Sequence, residues 1–204
     1  MILADLDLEK ALWEKGHKLV AGIDEVGRGS WAGPLVAAGV IFPKNFTIPA
    51  KLADSKQVSK KERKRLAALI RKTAVSINIV EIPVEKINEV GIGKATQLAF
   101  RKIVASFNPK PTYCLIDAFH IKYFSKTKQL AIKHGDIKSA SIAAASIVAK
   151  VYRDDLMEAL SQKYPRYGFE KHKGYGTTLH QKTIKKNGFC KIHRTSYNLS
   201  FLVS

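Results

Sequence analysis

The sequence predicts an α/β domain in which short apolar strands alternate with helices. Residues 35–42 and 113–116 are strongly apolar runs of strand length, and the second is unbroken, as in strands buried on both faces. The longest periodic segment, residues 139–164, carries apolar residues at helical spacing and ends before Pro165. Small residues at positions 143–146 suit close packing of this helix against a sheet.

The first two strands are expected to pair as an antiparallel hairpin. Residues 5–17 have a helix-like pattern, and the first strand follows at residues 18–26. A turn at residues 30–34 separates it from the apolar run at residues 35–42. Such a short connection favours antiparallel pairing over a parallel crossover.

Three further segments precede the next buried strand. Ser59 and Glu62 have the spacing of a capping box, which predicts the start of a helix rich in Lys and Arg. Its Lys and Arg side chains are typical of a helix face exposed to solvent. The alternative interpretation is that they contact a phosphate of the partner. Residues 75–80 alternate as a half-exposed strand does. A helical pattern then runs over residues 84–107, with a break at residues 91–93.

The last part of the chain predicts a short strand, the long helix and a basic end. Residues 130–132 form the strand, residues 168–177 a loop, and residues 178–186 a helix. We expect a main domain over residues 1–165 and a basic C-terminal extension over residues 166–204 that packs on it and contacts the substrate.

The charge balance indicates a polyanionic partner. The chain has 204 residues and 35 Lys and Arg against 17 Asp and Glu, a net charge of +18. This surplus suits nucleic acid first and an anionic membrane surface second. The first residues do not resemble a signal peptide, and no apolar stretch approaches the roughly 20 residues of a membrane span. We expect a cytoplasmic protein that acts as a monomer. Its two cysteines do not form a zinc or disulfide pattern.

Three predicted strands end in acidic residues. Asp24 and Glu25 follow one apolar run, Asp117 follows another, and Asp136 comes after the strand at residues 130–132. Neighbouring side chains on a strand point to opposite faces, so Asp24 and Glu25 can share one centre only if the strand ends, bulges or bends there. We expect a distorted strand end at Glu25 and Val26. A polar strand end followed by an ordinary turn is the alternative for this stretch.

Carboxylates gathered at one sheet edge indicate a divalent metal site. Like charges in one place are costly unless a cation neutralises them, and all-oxygen ligands suit Mg²⁺ or Mn²⁺. Two such ions can activate a water and stabilise the leaving oxygen in phosphodiester hydrolysis. A cluster of carboxylates within a basic surface is therefore typical of a nuclease.

At this point the chain resembles the bacterial ribonuclease HII family, the type 2 ribonucleases H. The matching stretches occur in family order and cover nearly the whole chain. They are GIDEVGRG (22–29), AGP (32–34), DSK (54–56), LIDA (115–118), HGD (134–136), SIAAASIVAKVYRD (141–154), HKGYGT (172–177) and IHR (192–194). Trp31 and, more mildly, Val26 depart from the residues expected in the first block.

The resemblance implies a ribonuclease H-like fold, a mixed sheet flanked by helices with a small helical C-terminal extension. It implies an endonuclease that cuts the RNA strand of RNA–DNA hybrids and beside single ribonucleotides in duplex DNA, leaving 3′-hydroxyl and 5′-phosphate ends. By matching position, the catalytic and metal-binding carboxylates are Asp24, Glu25, Asp117 and Asp136, with Mg²⁺ or Mn²⁺ as the cofactor.

Asp154 is the competing candidate for the fourth carboxylate. It lies fifteen residues past Ser139 in the predicted helix, roughly 22 Å along the axis, whereas Asp136 directly precedes that helix. Asp136 is therefore preferred, and Asp154 is expected to be a structural acid paired with Arg153 or Lys150.

The same resemblance implies the substrate contacts. Gly27, Arg28 and Gly29 match the loop that contacts the 2′-hydroxyl and a flanking phosphate, and Tyr175 matches the tyrosine that stacks on the next deoxyribose. Ser55 and Lys56 are expected to contact a phosphate. Weaker phosphate candidates, for which a structural hydrogen bond is equally expected, are His172, Lys173, His193 and Arg194.

Two alternatives remain open. One is a related nuclease with the same carboxylate cluster, such as a Holliday-junction resolvase or a type 3 ribonuclease H. The Arg28 loop and Tyr175 argue for ribonucleotide recognition instead, and no additional substrate-binding domain precedes the first strand. The other alternative is a catalytically silent nucleic-acid-binding protein, which gains nothing from four acids facing phosphates.

Overall fold

One mixed sheet of five strands forms the centre of the protein, in the order β3-β2-β1-β4-β5. The computed structural model describes residues 4–50, 52 and 58–202. The strands are β1 (Val20–Val26), β2 (Leu35–Ile41), β3 (Ser76–Ile82), β4 (Tyr113–Asp117) and β5 (Gln129–Ile132). The predicted antiparallel hairpin is confirmed, since β1 pairs antiparallel with β2 and β2 with β3, whereas β4 is parallel to β1 and to β5.

Helices surround this sheet. They are α1 (Asp7–Glu14), α2 (Lys60–Thr73), α3 (Val84–Ser106), α4 (Ala140–Lys163), α5 (Phe169–His172) and α6 (Thr178–Asn187). The predicted cap of α2 is confirmed, because Ser59 accepts a hydrogen bond from the amide of Glu62. The predicted break in α3 is confirmed at Gly91, whose φ of 76° is not helical. The predicted loop at residues 168–177 contains α5.

Each face of the sheet is covered by a different long helix. On one face, α4 packs on β1 and β2, and the apolar side of α2 (Leu66, Ala67 and Ile70) packs against it. On the other face, α3 covers the sheet through side chains that include Phe100 and Ile103. The approach of α4 to β1 is very close, since a Cβ on Gly22 would overlap the backbone of Ser141.

A buried carboxylate fixes the start of α4. Glu9, on α1, accepts hydrogen bonds at 2.6 Å from the hydroxyls of Ser139 and Ser141, and at 2.9 Å from the Ser141 amide. All three residues are buried. Because α4 begins directly after the turn that carries Asp136, this contact also positions that turn. None of the helices in the described ranges has the length and apolar character to span a membrane.

Candidate active site

The candidate site lies where the carboxyl ends of β1 and β4 separate. The ladder between these strands ends at the pair Ile23 and Ile116. Beyond it, Asp24, Glu25 and Asp117 border a cleft of about 510 Å³. The other residues around the cleft are Val26, Gly27, Arg28, Gly29, Asp136, Ser146, Lys150 and Tyr175. The four predicted metal ligands therefore surround one opening.

The strand that carries Asp24 and Glu25 is regular. Its register with β2 continues unbroken to the pair Val26 and Val36, so the predicted distortion near Glu25 is wrong. Because the ladder with β4 has already ended, side chains from both faces of β1 can border the cleft without a bulge. The amide of Glu25 donates to Oδ1 of Asp24 at 2.7 Å and so holds the Asp24 carboxylate beside its neighbour.

Asp24 is a buried acid of the cleft with a strongly perturbed pKa. It is only 6% exposed, and burial raises the pKa of its carboxyl well above the usual range. The negative charges of Glu25 and Asp117 raise that pKa further, while hydrogen bonds from Ser146 and from the Glu25 amide oppose the shift. A cation in the cleft would relieve this repulsion.

The carboxylates do not form a ready-made metal cage. Within residues 4–50, 52 and 58–202, no group of three His, Cys, Asp or Glu side chains is placed to hold an ion. The donor set nevertheless fits Mg²⁺ or Mn²⁺, because such ions are usually held by one or two carboxylates, waters and substrate phosphate oxygens. The cleft is thus suited to an ion that arrives together with a phosphodiester.

Asp136 reaches the cleft from a turn. It lies in a short 3₁₀ helix, Gly135–Ile137, between β5 and α4. The amide of Gly135 donates to Oδ1 of Asp117 at 2.7 Å, which ties this turn to the end of β4. His134 precedes it in the left-handed region, with φ of 56°. These contacts place Asp136 near the other acids although three residues separate it from the last residue of β5, Ile132.

Asp154 lies apart from the cleft lining. It is buried, and its carboxylate pairs with Lys150 at 2.7 Å and with Arg63 at 3.8 Å. The expected pair with Lys150 is confirmed, whereas Arg153 uses its guanidinium elsewhere. The position of Asp154 is that of a structural acid between α2 and α4.

The loop after β1 presents Arg28 at the rim of the cleft. Arg28 is exposed, and its guanidinium lies 4.4 Å from the ring centroid of Phe119. The carbonyl of Arg28 accepts hydrogen bonds from Arg194 at 3.1 Å and from the hydroxyl of Tyr197. Gly27 has φ of 86°, which disfavours other residues there. Hydrogen bonds from Arg194 and Tyr197 thus fix the loop backbone, while the Arg28 side chain stays exposed to solvent.

The sequence matches the model of one protein family, described as Ribonuclease HII, over residues 21–200. The chain belongs to the ribonuclease HII family. A Ribonuclease HII of Acetivibrio thermocellus is 44% identical over 195 residues, which cover 96% of this chain and 75% of that protein. Membership confirms the expected activity, a ribonuclease H that hydrolyses the RNA strand of RNA–DNA hybrids.

Solved structures agree with this family assignment. RNase HII in its PCNA complex from Archaeoglobus fulgidus has a TM-score of 0.75 and 26% identity, over 89% of this chain and 96% of that chain. Bst-RNase HIII in complex with Mn²⁺ shares the fold, with a TM-score of 0.61 and 22% identity over 83% of this chain and 63% of that chain. The ribonuclease H-like fold is thereby confirmed.

Two buried arginines hold the loops of this ribonuclease HII family member in place. Arg153 donates at 3.0–3.1 Å to the carbonyls of Pro34, Lys173 and Ala32. Arg194 donates to the carbonyl of Gly33 at 2.8 and 3.0 Å as well as to that of Arg28. Burial lowers the pKa of Arg153 to about 10 and also lowers that of Arg194. Of the two roles expected for Arg194, the geometry favours the structural hydrogen bond.

Three buried histidines form a connected cluster behind Tyr175. Nδ1 of His180 lies 3.0 Å from the carbonyl oxygen of Tyr175, and its Nε2 lies 3.1 Å from Nε2 of His193. The ring of His172 stacks on that of His180, with centroids 4.2 Å apart. For His172 and His193 too, burial therefore favours a structural role over phosphate contact. Lys173 bonds to Glu158 at 2.8 Å.

Ser55 and Lys56, which are expected to contact a phosphate of the substrate, lie outside the described residues. Ser146 and Lys150 are cleft residues that the sequence analysis did not single out as functional. Their separation of four residues on the predicted long helix places them on one face, and that spacing was the available signal.

Proposed function

We propose that RNA hydrolysis takes place in this cleft, with Asp24, Glu25, Asp117 and Asp136 holding Mg²⁺ or Mn²⁺. The observation that carries the proposal is that these four carboxylates border one cleft, in a chain of net charge +18. Two bound ions would supply an activated water and stabilise the leaving oxygen. Dependence on a divalent metal is expected of the family, and Bst-RNase HIII was solved with Mn²⁺.

The protein contributes positioning around that chemistry. Gly135 and Ser146 donate hydrogen bonds to Asp117 and Asp24 and so fix two of the four carboxylates. Lys150 borders the same cleft and can attract the substrate phosphate from the side of α4.

Selection of the ribonucleotide is proposed to occur at the other end of the cleft. Gly27, Arg28 and Gly29 would contact the 2′-hydroxyl and a phosphate, because glycines allow the backbone to approach the sugar closely. Tyr175 would pack on the following deoxyribose, which has no 2′-hydroxyl. Lys56, with Ser55, would bind a further phosphate. This arrangement supports cutting at single ribonucleotides in duplex DNA as well as in hybrids, leaving 3′-hydroxyl and 5′-phosphate ends.

The test uses three 24-base-pair duplexes: an RNA–DNA hybrid, a DNA duplex with one ribonucleotide, and an all-DNA control. With Mg²⁺ or Mn²⁺, we expect both ribonucleotide-containing duplexes to be cut and the control to stay intact. Asp117→Asn should abolish cutting and retain binding. Cleavage of the all-DNA duplex would refute the substrate assignment, and full activity of Asp117→Asn would refute the metal site.

Three organisational features are also part of this proposal. Residues 1–165 would form the catalytic domain and residues 166–204 an extension that contacts the substrate. The protein would act as a monomer in the cytoplasm. Sedimentation of the purified protein tests the monomer, because a dimer would have about twice the 22.7 kDa mass of the chain.

A further inference from the structure

A second groove of the molecule is bordered by basic and apolar side chains. It has a volume of about 410 Å³ and lies between α3 and the loop that follows β4. Lys94 and Arg101 border it from α3, and Lys122 and Tyr123 border it from the loop. The carboxylates proposed to hold metal do not line it, so it is distinct from the cleft.

Three of the four cations that border this groove are available to a ligand, and the fourth, Lys86, pairs with Glu89 at 2.8 Å. Among the described residues, no carboxylate forms an ion pair with Lys94, Arg101 or Lys122. The basic helix α2 differs in this respect. Its cations Lys60, Arg63, Lys64 and Arg65 each pair with an acidic side chain. Four of the seven cations of α2 thus have an acidic partner, whereas Lys94, Arg101 and Lys122 have none among the described residues.

Tyr123 is held in an exposed and unfavourable conformation. It is 96% exposed, and its φ of 62° lies in the left-handed region that is costly for an aromatic residue. The guanidinium of Arg101 lies 6.0 Å from the centroid of its ring. An exposed aromatic ring among unpaired cations is typical of surfaces that bind nucleic acid, where the ring stacks and the cations contact phosphates.

Two glutamines make the loop that carries Tyr123 rigid. Gln97, on α3, donates to the carbonyl of His120 at 2.9 Å and accepts from the amide of Lys122 at 2.7 Å. Buried Gln129 accepts from the amide of Ile121 at 2.7 Å and donates to its carbonyl at 3.0 Å. These hydrogen bonds therefore hold the strained backbone of Tyr123 in place, so its ring is already exposed before a ligand binds.

The same loop connects the groove to the catalytic cleft. It begins at Asp117, passes Phe119 beneath Arg28, and reaches Tyr123 after six residues. Six residues span at most about 22 Å. Because each nucleotide rises roughly 3.4 Å along a duplex, the groove can meet a substrate only within about six base pairs of the cut.

We propose that this groove binds the sugar-phosphate backbone of the duplex that flanks the cleavage site. Lys94, Arg101 and Lys122 contact phosphates, and Tyr123 packs against the flanking strand. The inference rests on the proposed function, since it requires the duplex to occupy the cleft. It adds a site that anchors the substrate within about six base pairs of the reacting phosphate.

The test measures binding by fluorescence anisotropy in the inactive Asp117→Asn background. The probe is a 24-base-pair duplex with a central ribonucleotide. Lys94→Gln with Lys122→Gln should weaken binding of this long duplex roughly tenfold and lower the salt slope by about 1.8, at about 0.9 per phosphate. Two probes, each shortened on one side only, identify the flank that is bound.

Matched variants separate this effect from charge and from stability. Lys10→Gln with Lys15→Gln removes two exposed cations at α1, which packs on the face of the sheet opposite α3, and should leave binding unchanged. Tyr123→Gly should raise the melting temperature, because glycine tolerates this backbone, and yet weaken binding of the long duplex several-fold.

The outcomes distinguish two kinds of failure. Equal binding of the long duplex by the groove double variant and its Asp117→Asn parent would overturn the groove, and would leave a protein partner as its occupant. If the protein with Asp117 intact fails to cut any ribonucleotide-containing duplex, the proposed function itself fails.

Discussion

At the scale of single residues, Asp24 combines a cost in stability with a role in function. Its burial and its two charged neighbours disfavour the ionised carboxylate in the metal-free protein. Such groups persist where function requires them, and the stability is supplied elsewhere in the fold.

Asp24→Asn should therefore raise the melting temperature of the metal-free protein and abolish cleavage. The amide keeps the shape of the side chain and removes one of three crowded charges. In a thermal melt, Mg²⁺ should stabilise the wild-type protein and have a much smaller effect on the variant. An equal Mg²⁺ shift in both proteins would exclude Asp24 as a ligand.

Asp136 and Asp154 provide a second test at the same scale. Asp136→Asn should reduce the cleavage rate by at least about a thousandfold with little loss of stability, because Asp136 borders the cleft. Asp154→Asn should lower the free energy of unfolding by roughly 1–3 kcal/mol, because it removes a buried charge that pairs with Lys150. Its cleavage rate should stay within about tenfold of wild type. The reverse pattern in a rate assay would make Asp154 the fourth ligand.

At the scale of elements, the crossing of α4 over β1 decides whether the site can form. β1 carries Asp24 and α4 carries Ser146, and the two elements touch most closely at Gly22. A small residue at this one position thus determines the distance between the carboxylates and the helix face that supports them.

Gly22→Ala should destabilise the protein by about 3 kcal/mol or more, because its Cβ would overlap the Ser141 backbone and not a flexible side chain. Gly93→Ala is the matched control, since a Cβ there meets open space and alanine favours a helix. Urea unfolding of both variants measures the difference. An unchanged midpoint for Gly22→Ala would mean that α4 can move away from β1 at little cost.

At the scale of the whole molecule, the C-terminal residues hold the loops that border the cleft in place. Arg194 reaches the loop after β1, and the histidine cluster reaches the backbone of Tyr175. Burial lowers the pKa of His180 to about 3 and that of His193 to about 4. Both side chains are therefore neutral in the folded protein under ordinary conditions.

This burial predicts loss of stability in acid. Below the ordinary histidine pKa of about 6.5, the unfolded chain takes up protons that the folded cluster does not, so stability falls from about pH 6.5 toward pH 4. His193→Gln should flatten this slope in urea titrations, and exposed His120→Gln should not. The raised pKa of Asp24 has the opposite effect, since it favours the folded protein as the pH falls. Asp24 is present in all three proteins, so it does not alter the comparison of their slopes. Equal slopes for all three proteins would contradict the prediction.

Much of the fold and site could be predicted because the signals are local or repeated along the chain. The cap at Ser59, the break at Gly91 and the ends of α4 each follow from a few adjacent residues. Four acids matched a known order of motifs, and the structure places them around one cleft. The regular end of β1 was not predicted, because it depends on where β4 stops pairing with it.

By itself, the sequence determined the order of strands and helices, the charge and the identity of the acids, since backbone propensity and motif order are properties of the chain. Only the tertiary structure decided which charges remain available. Arg153 and Arg194 are buried against loop carbonyls and four cations of α2 pair with acids, whereas Lys94, Arg101 and Lys122 stay exposed or half-buried beside Tyr123. The physical reason is that many of these partners, such as Glu158 for Lys60 and Asp155 for Lys64, are distant in sequence, and only folding brings them within hydrogen-bonding distance.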